Sequence, residues 1–385
     1  MSFQSVFNTS SGSFNKTTLI NFDFSAWLKN SNISFSDLSV LPDISTTERV
    51  AKITMYAVAI LLALTLNSLI IIVIIRTKSL RTKFNLYVVN MASVNILISL
   101  TCMWLHVVTN LNPTKWPLGS FFCKINTFLQ VLVVTVSVFT LTVIVVDRFF
   151  ATLYPRCLVI TQAHQVTSIV FIWISGALLA LPWLLYSRFV EYDWPGGHGV
   201  LCQAHFPSKD FRKAYITASV VVGYVLPIII MFVLLIVTMM KSAPPKVPAL
   251  EERKTFDHTR QKAVTMIMTV LLVLFLCWSP PQFERLWDVY RYKGPGAKLP
   301  KGIHAMTYAS FYIAYFSCCI YPIVYIGFNN CFRHAAANFL CRRSALSATS
   351  VLPDEPGPSR STSDPGSLKL QKNPDNDCFT EMSTP

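Results

Sequence analysis

Residues 123–155 read CKINTFLQVLVVTVSVFTLTVIVVDRFFATLYP. A cysteine stands at the start, the 22 residues from Ile125 to Val146 carry no charge, and the acid–base pair Asp147-Arg148 follows at once. At ~1.5 Å per helical residue such a run spans ~33 Å, about the hydrocarbon thickness of a bilayer. The stretch therefore predicts a membrane-crossing helix that ties a sulfur at one end to an arginine at the other.

The rest of the chain agrees. Of its 385 residues 52% are hydrophobic and 14% charged, against ~25% charged in an ordinary soluble domain. Mean hydropathy is +0.47. This composition indicates an integral membrane protein. The net charge of +14 does not point to nucleic acid, because the basic residues are scattered between apolar runs without a Lys/Arg face. They read as loops beside anionic lipid headgroups. Further windows free of Asp, Glu, Lys and Arg cover Ile53–Ile75, Phe84–Thr114, Cys157–Ser187, Ala214–Met240, Ala263–Phe283 and Gly302–Phe332. Each is long enough to cross a bilayer, so the predicted fold is an all-α membrane protein, a seven-transmembrane helix bundle.

Orientation follows from the loops. Arg76, Lys78, Arg81 and Lys83 crowd the first connection, and Lys241, Lys246, Arg253, Lys254, Arg260 and Lys262 the fifth. The positive-inside bias places both in the cytoplasm, with the N-terminus outside and the C-terminus inside. The sixth connection, with Arg291, Lys293, Lys298 and Lys301, runs against that bias. Residues 1–49 are polar and carry N-x-Ser/Thr sequons at Asn8, Asn15 and Asn32, as expected of a glycosylated extracellular tail. They hold no continuous apolar stretch, so no cleavable signal peptide is predicted. The transmembrane domain is assigned to 50–328, a short amphipathic surface helix to 329–343 and a disordered cytoplasmic tail, rich in Ser, Pro and Asp, to 344–385.

The windows also exclude function classes. A transporter keeps ionisable groups at mid-bilayer, and a pore needs charged rings or a carbonyl filter; neither is found. No GxSxG, HExxH, P-loop or paired-carboxylate motif suggests an enzyme. The ten cysteines form no CxxC and no Cys/His cluster, so neither a metal nor a cofactor is expected. Cys102, Cys277, Cys318 and Cys319 read as packed thiols, and Cys123 and Cys202 as candidates for a disulfide. Pro227, Pro280 and Pro322 interrupt three of the predicted helices, which favours a bundle whose helix halves can swing.

Taken in order, these marks resemble the rhodopsin-like (class A) G-protein-coupled receptors from about Val50 to Arg343. Asn67 lies in the first helix. Asn90–Asn95, NMASVN, resembles NLAxAD. Cys123 precedes Arg148 of Asp147-Arg148-Phe149, which resembles DRY. Trp173 marks the fourth helix and Pro227 the fifth. Cys277-Trp278-Ser279-Pro280 resembles CWxP, and Tyr321-Pro322-Ile323-Val324-Tyr325 resembles NPxxY. The stretch from Phe332 to Cys341 looks like the family's eighth helix.

The resemblance implies roles. Cys123 and Cys202 would join the third helix to the second extracellular loop. Asp147 would hold Arg148 at rest and release it to a heterotrimeric G protein, while Trp278 above Pro280 would transmit ligand contact to the sixth helix. Cys341 is a candidate palmitoylation site, and Ser/Thr residues of the tail are candidate sites for receptor kinases and arrestin. The chain also departs from the family. Asn95 and Tyr321 replace an aspartate and an asparagine, Arg260 stands where many relatives have an acid, and Leu235 replaces a tyrosine. Without the carboxylate at position 95, weak or absent sodium sensitivity is expected although Ser137 is kept.

For the ligand, Gln130 replaces the aspartate by which amine receptors pair an ammonium, so a biogenic amine is disfavoured. Gln130, with Trp116-Pro117-Leu118-Gly119 before Cys123, resembles the neuropeptide-receptor branch and implies an extracellular peptide ligand. Val134, Trp278, Gln282, Arg285, Phe311 and Tyr315 would line the same cavity. Arg285 would suit an acidic group on the ligand, whereas Glu191 and Asp193 would attract a basic one; both readings stay open. A lipid, a small molecule or ligand-independent activity in the same fold is the alternative, and a transporter or channel a distant one.

Overall fold

The computed structural model describes residues 45–112, 116–153, 162–194, 197–241, 251–290 and 303–349. Among these residues, seven helices are long and apolar enough to cross a membrane: Thr46–Arg76, Phe84–Leu111, Gly119–Leu153, His164–Tyr186, Lys209–Lys241, Gln261–Tyr290 and Ala305–Phe328. They are numbered here as spans one to seven, and each coincides with one of the charge-free windows. Several outrun their windows. The third continues past Asp147 and Arg148 to Leu153, and the sixth carries Glu284, Arg285 and Asp288 before it ends at Tyr290. A charge near a membrane surface does not stop a helix when its long stem can lie along apolar neighbours.

Local chemistry sets the ends. Ser45 caps the first span by accepting from the Glu48 amide at 3.2 Å, Thr82 caps the second through the Asn85 amide at 3.3 Å, and Ser208 caps the fifth through the Phe211 amide at 3.0 Å. Gly119 opens the third at φ +72°, the left-handed region that suits glycine. Its carbonyl accepts from the Trp116 indole at 2.8 Å.

Two spans change pitch. The fifth contains a π-turn at Val221–Val225 directly before Pro227. The proline ring would clash with the carbonyl four residues back, and the wider turn relieves that clash. The second span has a π-turn at Ser99–Met103 without a proline. There the Ser99 hydroxyl donates to the Asn95 carbonyl at 2.8 Å and Thr101 to the Leu97 carbonyl at 2.6 Å, side-chain bonds back to the preceding turn of the kind that bends a helix.

The third span is the axis of the bundle. It packs against the second, fourth, fifth and sixth spans, while the first closes the ring between the second and the seventh. Every residue from Gln130 to Val138 is buried, the pattern of a helix surrounded by protein on all sides. In its central window 72% of residues are buried, against 17% in the fourth span. Outward-facing residues such as Leu61, Phe171, Leu178, Ile229 and Leu276 are exposed and apolar, as a lipid-facing surface requires. One polar node holds three spans together. The Trp173 indole donates to Asn90 Oδ1 at 3.0 Å, and Asn90 Nδ2 donates to the Thr140 hydroxyl at 2.8 Å.

The chain between spans four and five is not the plain loop that the charge windows suggest. Strands β1 (Ser187–Trp194) and β2 (Gly197–Ala204) pair antiparallel, with Phe189 opposite Cys202. After span seven, a helix runs from Asn330 to Thr349, beyond the expected end at Arg343. Phe332 and Ala336 are its buried side, while Arg333, His334 and Asn338 are exposed. The sequons at Asn8, Asn15 and Asn32 and the tail from residue 350 onward lie outside the described residues.

Candidate ligand cavity and coupling end

At one end of the bundle Cys123 and Cys202 form a disulfide, with Cα atoms 5.5 Å apart. The bond anchors β2 on the third span, and the Trp116 amide donates to the Val200 carbonyl at 2.7 Å, a second hold on the same strand. Trp183, Tyr186, Phe206, Phe211 and Tyr215 form an aromatic cluster there, with neighbouring ring centroids 5.3–6.4 Å apart. Burial, aided by the Arg188 charge, pushes the His205 imidazole down in pKa, so this corner favours the neutral ring. Arg212 pairs with Asp288 at 3.0 Å, linking spans five and six.

The residues expected to line the cavity face inward. Gln130 is buried and donates to Asn126 Oδ1 at 2.9 Å; Val134, one turn below, is buried too. Gln282 is buried, and Trp278 donates through its indole to the Ser317 hydroxyl at 3.2 Å. Trp278 meets Tyr315 edge-on at 6.0 Å, and Tyr315 lies 6.0 Å from Phe311. Arg285 is half-buried, and its charge acts on Tyr215, Tyr315 and Cys102, so the guanidinium points into the bundle. No described carboxylate stands at ion-pair distance from it. The sequence alone missed His106, on span two, which lies 5.0 Å from Phe311 and 5.7 Å from Tyr315. Tyr56 of span one closes on His106 at 5.8 Å and on Tyr308 and Tyr312 at 5.8 and 5.1 Å. The spacing Tyr308, Tyr312, Tyr315 marks one face of span seven in the sequence; nothing there signals Tyr56 or His106.

Deeper in the bundle lies a neutral polar floor. Asn67 Nδ2 donates to the Ala63 and Cys318 carbonyls at 2.7 and 3.0 Å, and Asn95 Nδ2 donates to Asn67 Oδ1 at 3.0 Å. Ser137 donates to the Val133 carbonyl of its own helix. Pro280 and Pro281 both lie inside the sixth span, and the Tyr224 hydroxyl reaches across to the Phe275 carbonyl at 3.2 Å and to Ser279 Oγ at 3.0 Å. The fifth span thus holds the sixth where its backbone bonds are interrupted.

At the opposite end Asp147 and Arg148 pair at 3.4 Å, and Phe149 packs edge-on against Phe150 at 5.4 Å. Tyr325, one turn beyond Tyr321 and Pro322, donates to Asn85 Oδ1 at 2.8 Å, accepts from Asn329 Nδ2 at 3.1 Å and packs on Phe332 at 5.2 Å. A small cavity of about 70 Å³ lies between the floor and this end. Asn95, Leu141, Ile144, Ile267, Tyr321 and Tyr325 are among its lining.

Residues 66–325 match the family described as 7 transmembrane receptor (rhodopsin family). The chain belongs to this family. Among similar proteins, G-protein coupled receptor 54 of Oreochromis niloticus is 28% identical over 66% of this chain and 71% of its own length. Neuropeptide FF receptor 1 of Homo sapiens is 27% identical over 79% of this chain and 74% of its own. Somatostatin receptor type 4 of Rattus norvegicus is 25% identical over 76% and 73%. The protein is therefore a multi-pass receptor of the plasma membrane and not an enzyme.

The receptor's floor departs from its family in a testable way. No carboxylate lines the cavity beside Asn95, and a bare cation there would lack the charge that offsets its desolvation. The thermal midpoint of the purified receptor should be equal in sodium chloride and in choline chloride at matched ionic strength. Asn95→Asp should make sodium stabilising by mass action. A midpoint that already rises with sodium in the unmodified receptor would show this account to be wrong.

Proposed function

We propose that this receptor binds an extracellular peptide at its disulfide end and activates a heterotrimeric G protein at its Arg148 end. The N-terminus is then outside and the C-terminus in the cytoplasm, as the basic first and fifth connections support. The relatives named for neuropeptide FF and somatostatin support a peptide rather than a lipid or a small amine. Arg285 carries the reading: an inward-facing guanidinium with no described carboxylate partner is a site for an acidic or carbonyl group of the ligand. Glu191, by contrast, is exposed on β1, so the acidic loop residue meets solvent first. Gln130, Val134, Trp278, Gln282, Phe311 and Tyr315 complete the ligand surface. Binding there shifts Trp278, and with it the part of the sixth span beyond the Pro280 kink; Asp147, Arg148, Phe149, Asn95, Tyr321, Pro322 and Tyr325 form the switch below.

Cys341 carries a lipid chain at the membrane surface in this reading, which its free, exposed thiol on the terminal helix supports. Receptor kinases and arrestin are the expected partners of the tail. A screen of amidated neuropeptides, read by calcium and by cyclic-nucleotide signals, tests the reading directly. For the peptide found, Arg285→Gln should weaken potency by about tenfold or more, the size of a lost charge-assisted hydrogen bond. Arg148→Ala should remove the signal and leave peptide binding intact. Tracer uptake without any G-protein signal would overturn the reading.

A further inference from the structure

We propose that Phe84 is a positioning residue for Arg148, and that the start of the second span clamps the coupling end of the receptor at rest. The inference rests on the reading of Arg148 as the residue offered to the G protein. The Arg148 guanidinium carbon lies 4.8 Å from the centroid of the Phe84 ring, inside the ~6 Å at which a ring face attracts a cation. Its other described partner, Asp147, stands at 3.4 Å, and Arg148 Nε is buried without a hydrogen-bond partner. From Gln261 to Phe283 the sixth span offers no carboxylate that could share the task. A partly desolvated cation with one loose ion pair among the described residues leaves the ring as a substantial share of what holds it.

The ring itself is held in place. Thr82 caps the helix at Asn85, and Asn85 Nδ2 donates to the Leu80 carbonyl at 2.7 Å. Asn85 Oδ1 accepts from the Tyr325 hydroxyl. Two neighbouring residues thus engage the two sides of the switch: Phe84 holds Arg148 of span three, and Asn85 holds Tyr325 of span seven. The bundle is closed behind them, where Val145, Leu235, Val264 and Ile267 are all buried. For Arg148 to turn toward a partner entering between the helices it must leave the ring, so the contact favours the resting state.

The test needs no ligand. Basal activation across a panel of Gα classes is measured in cells and divided by surface abundance of an epitope-tagged receptor. Phe84→Leu, close in volume but without a ring face, should raise basal signal about three- to tenfold. Phe84→Tyr and Phe84→Trp, which keep the ring, should stay at the unmodified level, an outcome that general loosening of the helix would not give. An unchanged or lower signal in Phe84→Leu, or an equal rise in Phe84→Trp, would overturn the positioning role. The double variant Phe84→Leu/Arg148→Ala should fall to background. A rise that survives there would instead overturn the coupling role assigned to Arg148.

Discussion

Cys202→Ser is expected to strip most of the receptor from the cell surface and to lower its stability by about 2–5 kcal/mol, the usual loss on removing a native disulfide. The Cys123–Cys202 bond closes 79 residues of sequence separation, a long loop that the unfolded chain would otherwise sample freely. It is also the covalent tie that seats the hairpin on the third span. Cys123 is fully buried, so either single variant leaves an unpaired thiol or hydroxyl in that packed corner. Cys123→Ser should match Cys202→Ser, and the double variant should be no worse than either, because the same bond is lost once. Surface labelling and a thermal melt in detergent check this. Single variants with surface abundance near the unmodified level would show that the hairpin is held mainly by the Trp116–Val200 bond and the aromatic cluster.

The next largest effect is expected at Trp173. Trp173→Ala should lower stability by about 3–5 kcal/mol through the lost ring volume. It also removes the donor to Asn90 Oδ1. Asn90 is itself buried, and its amide still bonds Thr140, so its carbonyl oxygen is left without a partner in a medium that cannot supply one. Trp173→Phe separates the two contributions. It keeps most of the volume and should lower stability by about 1–3 kcal/mol, the penalty of a buried group left unsatisfied. Equal melts for Trp173→Phe and the unmodified receptor would mean that a water takes the place of the indole donor.

How legible the fold was depends on the element. The seven spans could be read from charge-free windows because lipid admits few charges and forces backbone bonds to close within each helix. Their ends could not, because Arg148 and Arg285 lie on helices that continue past the windows, with stems lying among apolar neighbours. The hairpin of β1 and β2 went unread: a short two-stranded ribbon has no long apolar period, and here its pairing is held by a disulfide and by contacts with the bundle. Gln130, Trp278, Phe311 and Tyr315 were proposed from motif register, and all four are buried in the bundle. Tyr56, His106 and Asn126 were not proposed, since nothing in residues from three separate spans announces their contacts with Tyr308, Phe311 and Gln130.

The stretch from Cys123 to Pro155 by itself determined that one helix crosses the membrane between a cysteine and an arginine, because length and the absence of charge decide that alone. Composition and repetition of the same pattern determined the other six crossings. What each end of that helix touches was decided only by tertiary structure. Cys123 reaches Cys202 because the hairpin folds back over the bundle. Arg148 lies over Phe84 because the capped start of the second span sets the ring beside it. Such contacts join residues far apart in sequence, and their energies depend on distance, burial and the lack of competing partners. None of these is written in either segment read separately.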